Sequence, residues 1–203
     1  MTQARGDLAK RVTDVAVACI SLLALAPIWM AIPIAIRLDS AGPLLFPGER
    51  VGRGGVRFRM FKFRKMSEYA SGPALTTADD DRFTRIGKFL ARTKLDELPQ
   101  LLNVLRGEMS VVGPRPEDPK FVELAGPRFR PVLRVRPGIT GLSQLHFARE
   151  YEHLAGDDPE GTYIRDVLPR KIAMDVFYAE NRTWLMDVKI IAWTGLVLIT
   201  RLE

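Results

Sequence analysis

Apolar residues are concentrated at one end of the chain. From Val15 to Ile36 no charged residue interrupts the run VAVACISLLALAPIWMAIPIAI, which lies between Asp14 and Arg37. About 20 predominantly apolar residues are enough for a helix to cross the hydrocarbon core of a bilayer. A membrane segment is therefore the favoured reading. A cleaved signal peptide is disfavoured, because the run is long and no small-x-small site precedes the polar stretch. A buried core helix is the other alternative. Pro27 and Pro33 each remove a backbone donor and bias the preceding residue away from helix, so a bend is expected, placed at Ala26-Pro27. The flanks are basic on both sides: Arg5, Lys10 and Arg11 before, and Arg37, Arg50, Arg53, Arg57 and Arg59 after. Lys and Arg favour the cytoplasmic side, and the only later apolar stretch, Ile190 to Ile199, is too short to bring the chain back. A re-entrant helical hairpin, entering and leaving by one leaflet, is favoured over a true crossing.

The rest of the chain alternates more finely. Ala41 to Gly55 is rich in Gly and Pro and reads as loop and turns. Val56 to Met66 reads as a short strand: Phe61 and Phe63 alternate with Lys62 and Arg64, giving one cationic face. Ser67 to Asp81 is polar and reads as loop. Phe83, Ile86, Phe89 and Leu90 have helical spacing, and a second helix is expected from Leu95 to Leu105, stopped by Gly107. SVVGPRP (110–116) and RVRPGITG (134–141) are short apolar pieces, each with a proline-braced turn. Two amphipathic helical stretches lie between Ile172 and Leu198, the last carrying Trp184 and Trp193, residues suited to a membrane–water interface.

Composition narrows the partners. The 203 residues carry a formal net charge of +6, with a pI near 9.7, which implies anionic partners. Aromatics make up 8% and no nucleic-acid motif is present, so no nucleic-acid partner is expected. The single cysteine, Cys19, excludes an intramolecular disulfide. His146 and His153 lack zinc-site spacing.

The candidate chemistry centres on Thr93-Lys94-Leu95-Asp96-Glu97-Leu98-Pro99. Proline is tolerated in the first turn of a helix, so Pro99 places Asp96 and Glu97 at a helix N-terminus. Alone, Asp96 reads as an N-cap. Its context is cationic, however. Pro114 and Pro116 brace Arg115, a second arginine turn is Arg136-Pro137-Gly138, and Lys62 and Arg64 lie upstream. A held guanidinium matches phosphate oxygens in a bidentate manner. An acidic pair among cations suits a diphosphate substrate with Mg²⁺, which takes one or two carboxylates plus substrate phosphates.

FKFRKM, LDELPQLLNVLRGEMSVVGPRPE and RPGITG, in this order after an apolar segment, resemble the bacterial sugar transferase family. The resemblance runs on to the terminal YAENRTWLMDVKII and is closest to the small monotopic phosphoglycosyl transferases. It implies an α/β fold, mostly helical with a small sheet. Residues 1–40 would form a re-entrant membrane-associated segment, and residues 41–203 a cytoplasmic catalytic domain with interfacial helices at the bacterial inner membrane. It also implies a reaction. A carboxylate attacks the β-phosphate of a UDP-sugar, UMP leaves, and a polyprenyl (undecaprenyl) phosphate takes the phosphosugar from the enzyme, starting polysaccharide or glycoconjugate assembly. Asp96 matches the nucleophile and Mg²⁺-associated residue, and Glu97 its catalytic partner, an acid/base or metal-supporting group. Arg115 matches the phosphate-contacting arginine, and Lys62 the lysine of the strand motif. Arg64, Pro114, Pro116, Gln144 and Arg149 complete the expected substrate-binding set.

The chain departs from the family pattern at three places. Leu142 stands where a tryptophan is usual, and His146-Phe147-Ala148 replaces Asn-Gly-Arg, with Arg149 one residue later; both bear on sugar preference. Ala26-Pro27 replaces the usual Ser-Pro at the membrane break. Two other functions compete: a glycosyltransferase that moves only the sugar and releases UDP, and a membrane-tethered basic binding module. The sequence leaves open the sugar, the polyprenol and a homodimer through the helical C-terminal part.

Overall fold

The computed structural model describes residues 2–67, 81–147 and 158–200. The chain begins with helix α1 (Thr2–Ala24), which breaks at Leu25 and continues as α2 (Ala26–Asp39), bent by 65° between Gly6–Ala24 and Ala26–Asp39. The expected bend at Ala26-Pro27 thus falls one residue earlier. Pro27 lies in the first turn of α2, where its missing donor costs nothing. Pro33 stays inside α2 without ending it. No single helix among the described residues is long and apolar enough to cross a membrane, whereas this bent pair has the length and composition to do so together.

Strands β1 (Leu45–Val51) and β2 (Arg57–Phe63) form an antiparallel hairpin. The stretch read as loop therefore contains a strand, despite Pro47. Pro47 faces Phe61, and the Phe61 N–H points the other way, donating to Asn103 Oδ1 at 3.1 Å. At such a non-bonded pair the absent proline donor breaks no ladder bond. Helix α3 (Arg85–Thr93) is capped by Thr84, whose hydroxyl accepts from Gly87 N–H. A 3₁₀ turn, Leu95–Glu97, leads into α4 (Gln100–Arg106), with Pro99 at the N-cap and Gly107 as the stop.

Strand β3 (Ser110–Val112) pairs in parallel with β4 (Gly138–Thr140), so the fold has two small sheets where one was expected. Between them lie α5 (Pro119–Ala125) and two 3₁₀ turns. Helix α6 (Leu142–His146) comes next. Then α7 (Pro159–Thr162) runs through a π turn at Tyr163–Val167 into α8 (Leu168–Asn181), and α9 (Trp184–Thr200) ends the described chain. The two proline-braced turns therefore lie side by side: Gly113 N–H donates to Thr140 O at 2.9 Å and Gly138 N–H to Pro114 O at 2.7 Å.

The polar first half of α1 docks into the body. Arg11 donates to Val104 O (2.6 Å) and Leu105 O (3.0 Å), carbonyls at the C-terminus of α4, where a cation is favoured. Buried Asp14 accepts from Ser110 Oγ (2.9 Å) and Val111 N–H (3.0 Å) of β3. Asp7 pairs with Arg182, and Lys10 with Asp187. Farther along, Ala18 joins the core of Phe58, Met60, Leu101, Val104 and Met109, while Ile32 and Ile36 pack on Phe63 and Leu90. The opposite faces are bare: Ile20, Leu23, Met30, Ile34 and Leu38 are exposed.

The β3–β4 contact tolerates only glycine. A Cβ added at Gly138 would lie 2.1 Å from Gly113 N. Gly138→Ala is expected to destabilise the fold by about 1–3 kcal/mol through overpacking. A fall in Tm of about 2–4 °C per kcal/mol would register it in a detergent melt; an unchanged Tm would mean that the turns separate freely.

Candidate active site

The 3₁₀ turn before α4 carries the acidic pair. Asp96 is 2% exposed, its Oδ1 has no hydrogen-bond partner, and its Oδ2 lies 3.6 Å from Lys65 Nζ. The Glu97 Oε1 accepts from Lys62 Nζ at 3.0 Å and lies 3.5 Å from an Arg115 Nη. Burial opposes the Glu97 charge, but Lys62, Arg115 and Lys94 outweigh it and hold the carboxyl well below the usual range. Asp96, Glu97, Lys62 and Arg115, four residues singled out from the sequence, thus meet in one place.

Local structure explains the meeting. Asn103 of α4, fully buried, accepts from Phe61 N–H and donates to Arg59 O at 2.8 Å. That side-chain clamp seats the open edge of β2 on α4 and brings Lys62 to Glu97. Arg115 projects from a turn held on both sides. Pro114 O accepts from Gly138 N–H, and Glu117 O accepts from Val51 N–H at 3.1 Å. The Glu117 carboxylate accepts from Tyr163 Oη at 2.7 Å, Lys171 Nζ donates to the same hydroxyl at 2.9 Å, and Lys171 lies 3.6 Å from Glu117. Pro114 and Pro116 flank Arg115 as expected.

The other expected site residues go elsewhere. Strand β2 ends at Phe63, so the alternation that put Arg64 beside Lys62 stops there; the Arg64 guanidinium donates to Ala41 O and, at 2.8 Å, to Ser40 O. It closes the α2–β1 connection. Arg136 donates to Gly107 O at 2.8 Å and so shares the C-terminal end of α4 with Arg11. Gln144 donates to Gly138 O at 3.3 Å, and its Oε1 is buried without a partner. Arg149 lies outside the described residues. The two departures that bear on sugar preference include packing positions: Leu142 packs against Val112, Tyr178 and Ile190, and Phe147 is buried with Phe121, Phe129 and Tyr163.

Two cations beside the pair were not singled out from the sequence. Lys65 reaches Asp96 because the chain turns after Phe63. Lys94 holds a left-handed backbone (φ 60°), uncommon for a side chain with a Cβ, and burial followed by the field of Glu97 governs its ammonium. The available signal was their position, each next to a motif residue. Among the described residues no group of three or more His, Cys, Asp or Glu gathers to hold a metal.

A buried carboxylate pair ringed by cations is a candidate site for phosphate-bearing ligands. The chain belongs to the bacterial sugar transferase family, whose profile matches residues 5–201. It is 38% identical over 199 residues to the UDP-glucose:undecaprenyl-phosphate glucose-1-phosphate transferase of Caulobacter vibrioides, covering 96% of this chain and 71% of that protein. It is 39% identical over 202 residues to the exopolysaccharide production protein PSS of Rhizobium leguminosarum bv. phaseoli, covering 95% and 96%. It is 40% identical over 197 residues to the undecaprenyl-phosphate glucose phosphotransferase of Komagataeibacter xylinus, covering 92% of this chain and 35% of that protein. The chain therefore spans nearly all of the Rhizobium protein and about a third of the Komagataeibacter one.

Behind Arg115, Ser143 Oγ donates to buried Asp175 at 2.7 Å. Burial pushes the Asp175 carboxyl up to about 7, against the pull of Ser143 and Lys171. An unfolded aspartate titrates near about 3.9, so between these values the folded chain binds the extra proton. The contribution of this group to stability is present at low pH and is lost as pH rises through about 4 to 7. Asp175→Asn is expected to flatten that decline in melts run at about pH 5 and about pH 8; an unaltered pH dependence would assign the decline to other groups.

Proposed function

We propose that this enzyme moves a sugar-1-phosphate from a UDP-sugar to a polyprenyl phosphate, releasing UMP, through a phosphosugar held covalently on Asp96. The observation that carries this reading is the Asp96 carboxylate: nearly fully buried, one oxygen unpartnered, and surrounded by Lys65, Lys62, Lys94 and Arg115. A buried ion normally has its lone pairs satisfied. An oxygen left open is poised for a bond that forms only with substrate.

In the first step an Asp96 oxygen attacks the β-phosphorus of the donor. The new O–P bond forms as the bond to the bridging oxygen breaks, and UMP leaves with the electron pair. In the second, a phosphate oxygen of the lipid attacks the same phosphorus and the aspartyl carboxylate leaves, restoring Asp96. Two displacements let both substrates use one site in turn. Arg115 and the lysines reduce the like-charge repulsion between carboxylate and diphosphate. Glu97, held ionised, positions Lys62 and Arg115; a carboxyl so strongly depressed is a poor proton donor at neutral pH. Magnesium fits this set, because the orphaned Asp96 oxygen and the absence of a protein cage among the described residues suit an ion shared with substrate phosphates. Asp96, supported by Glu97, would hold it, and it would supply positive charge to the phosphate oxygens.

The bent α1–α2 pair suits a re-entrant anchor. One face packs on the body, the other is bare and apolar, and basic residues flank both ends. The exposed Trp184, Leu185, Val188 and Trp193 of α9 suit an interfacial position. The protein would then sit on the cytoplasmic membrane with the site at the surface, where a soluble donor meets a lipid acceptor.

Detergent-solubilised protein, Mg²⁺, polyprenyl phosphate and a panel of UDP-sugars test the reaction, with UMP and UDP assayed separately. UDP-glucose and UDP-N-acetylgalactosamine, the donors in the names of relatives, come first. UMP release, abolished by Asp96→Asn, is expected. UDP release would mean that the sugar–oxygen bond is cleaved instead, the chemistry of a simple glycosyltransferase. Arg115→Ala is expected to retain the fold and lose about 10²-fold or more in kcat/KM; wild-type kinetics would remove Arg115 from the site.

A further inference from the structure

Lys62 and Lys65 occupy different roles in the cation ring. Lys62 is committed: it makes a 3.0 Å hydrogen bond to Glu97. Lys65 stands 3.6 Å from Asp96 Oδ2, beyond hydrogen-bond distance, and leaves Asp96 Oδ1 unpartnered. A structural ion pair in so buried a place would close on both oxygens. This one is held open.

The backbone holds it there. Lys65 O accepts from Thr84 N–H at 3.1 Å, and Met66 bridges to Phe83, just before α3. A Cβ at Gly87 would lie 1.8 Å from Lys65 O, so α3 and the Lys65 carbonyl touch directly. The ammonium lies 5.4 Å from the centre of the Phe83 ring, and its side chain remains 27% exposed. The head group is thus steered toward Asp96 from a fixed root, and part of its side chain reaches solvent. Burial pushes its pKa down, and Asp96 pulls it back up.

Lys62, Lys65, Lys94 and Arg115 surround two carboxylates. When Asp96 becomes an acyl phosphate its own negative charge disappears, and the charge sits on the phosphoryl oxygens. A cation bonded tightly to Glu97 cannot follow that transfer; one standing loosely beside the attacking carboxylate can.

Building on the phosphosugar reading above, we propose that Lys65 is a further catalytic residue, whose ammonium contacts the β-phosphoryl oxygens of the donor as Asp96 attacks and stays with them while the phosphosugar is on the enzyme. Lys65 then serves the Asp96 side of the phosphate, as Arg115 serves the Glu97 side.

Two measurements test it. In steady-state kinetics Lys65→Gln is expected to lower kcat and kcat/KM together by about 10²-fold, and Lys65→Arg to recover much of the loss because the charge returns. The second is equilibrium binding of UDP to Asp96→Asn and to the double variant Asp96→Asn/Lys65→Gln, with uridine as control. A cation that contacts phosphate is expected to be missed even when Asp96 carries no charge, so the double variant should bind UDP about tenfold more weakly and uridine equally. Equal UDP affinity in the two would overturn the proposal and leave Lys65 as a partner of Asp96 alone. So would undiminished UMP release by Lys65→Gln, with the phosphosugar reading left standing. Failure of the wild-type enzyme to release UMP from any UDP-sugar would overturn the reading on which the proposal rests.

Discussion

A carboxylate removed from water must be compensated or it loses its charge. The placement of Asp96 imposes that condition on the rest of the fold. The compensating cations come from separate stretches of chain: Lys62 from β2, Lys65 from the turn after it, Lys94 from the end of α3, and Arg115 from the loop after β3. Each stretch has its own device for arriving. Asn103 clamps β2, Gly87 admits the Lys65 backbone, a left-handed residue reverses the chain at Lys94, and paired proline turns carry Arg115. These devices matter less as separate stabilising contacts than as solutions to one electrostatic problem.

The surplus of positive charge arises from the same condition. Four cations around two carboxylates leave a net positive charge, and a polyanion is the ligand that best offsets it. This fits the proposed reaction, whose successive substrates both present phosphate. It also accounts for a Glu97 that stays ionised: here the second carboxylate keeps the cations in place.

Much of this was legible in the sequence, and the limits have physical causes. Helices α3, α4 and α9 came from spacing and stop signals, and the bend near Pro27 from the backbone donor that proline lacks. Asp96, Glu97, Lys62 and Arg115 came from motif and resemblance together. Strand β1 was missed because Pro47 looks like a loop residue until its partner Phe61 is seen to bond elsewhere. The exchange of roles between Arg64 and Lys65 was missed for a different reason. Alternation assigns faces only while a strand lasts, and β2 stops one residue before Arg64. The support of Arg115 by Glu117, Tyr163 and Lys171 joins distant segments and leaves no local trace.

Helix α1 is continuous from Thr2 to Ala24. Its polar half grips α4 through Arg11 and β3 through Asp14, and its apolar half runs on to the bend. No hinge separates the two halves, so whatever medium holds the apolar half also sets the tilt and depth of the turn that carries Asp96. Each residue added to an α-helix turns the remainder of the helix by about 100° and advances it about 1.5 Å. A one-residue insertion between Asp14 and the bend would therefore swing α2 round the body, away from Phe63 and Leu90. The helix works as a keyed shaft, and its length is as much a part of the active-site design as any residue that touches substrate.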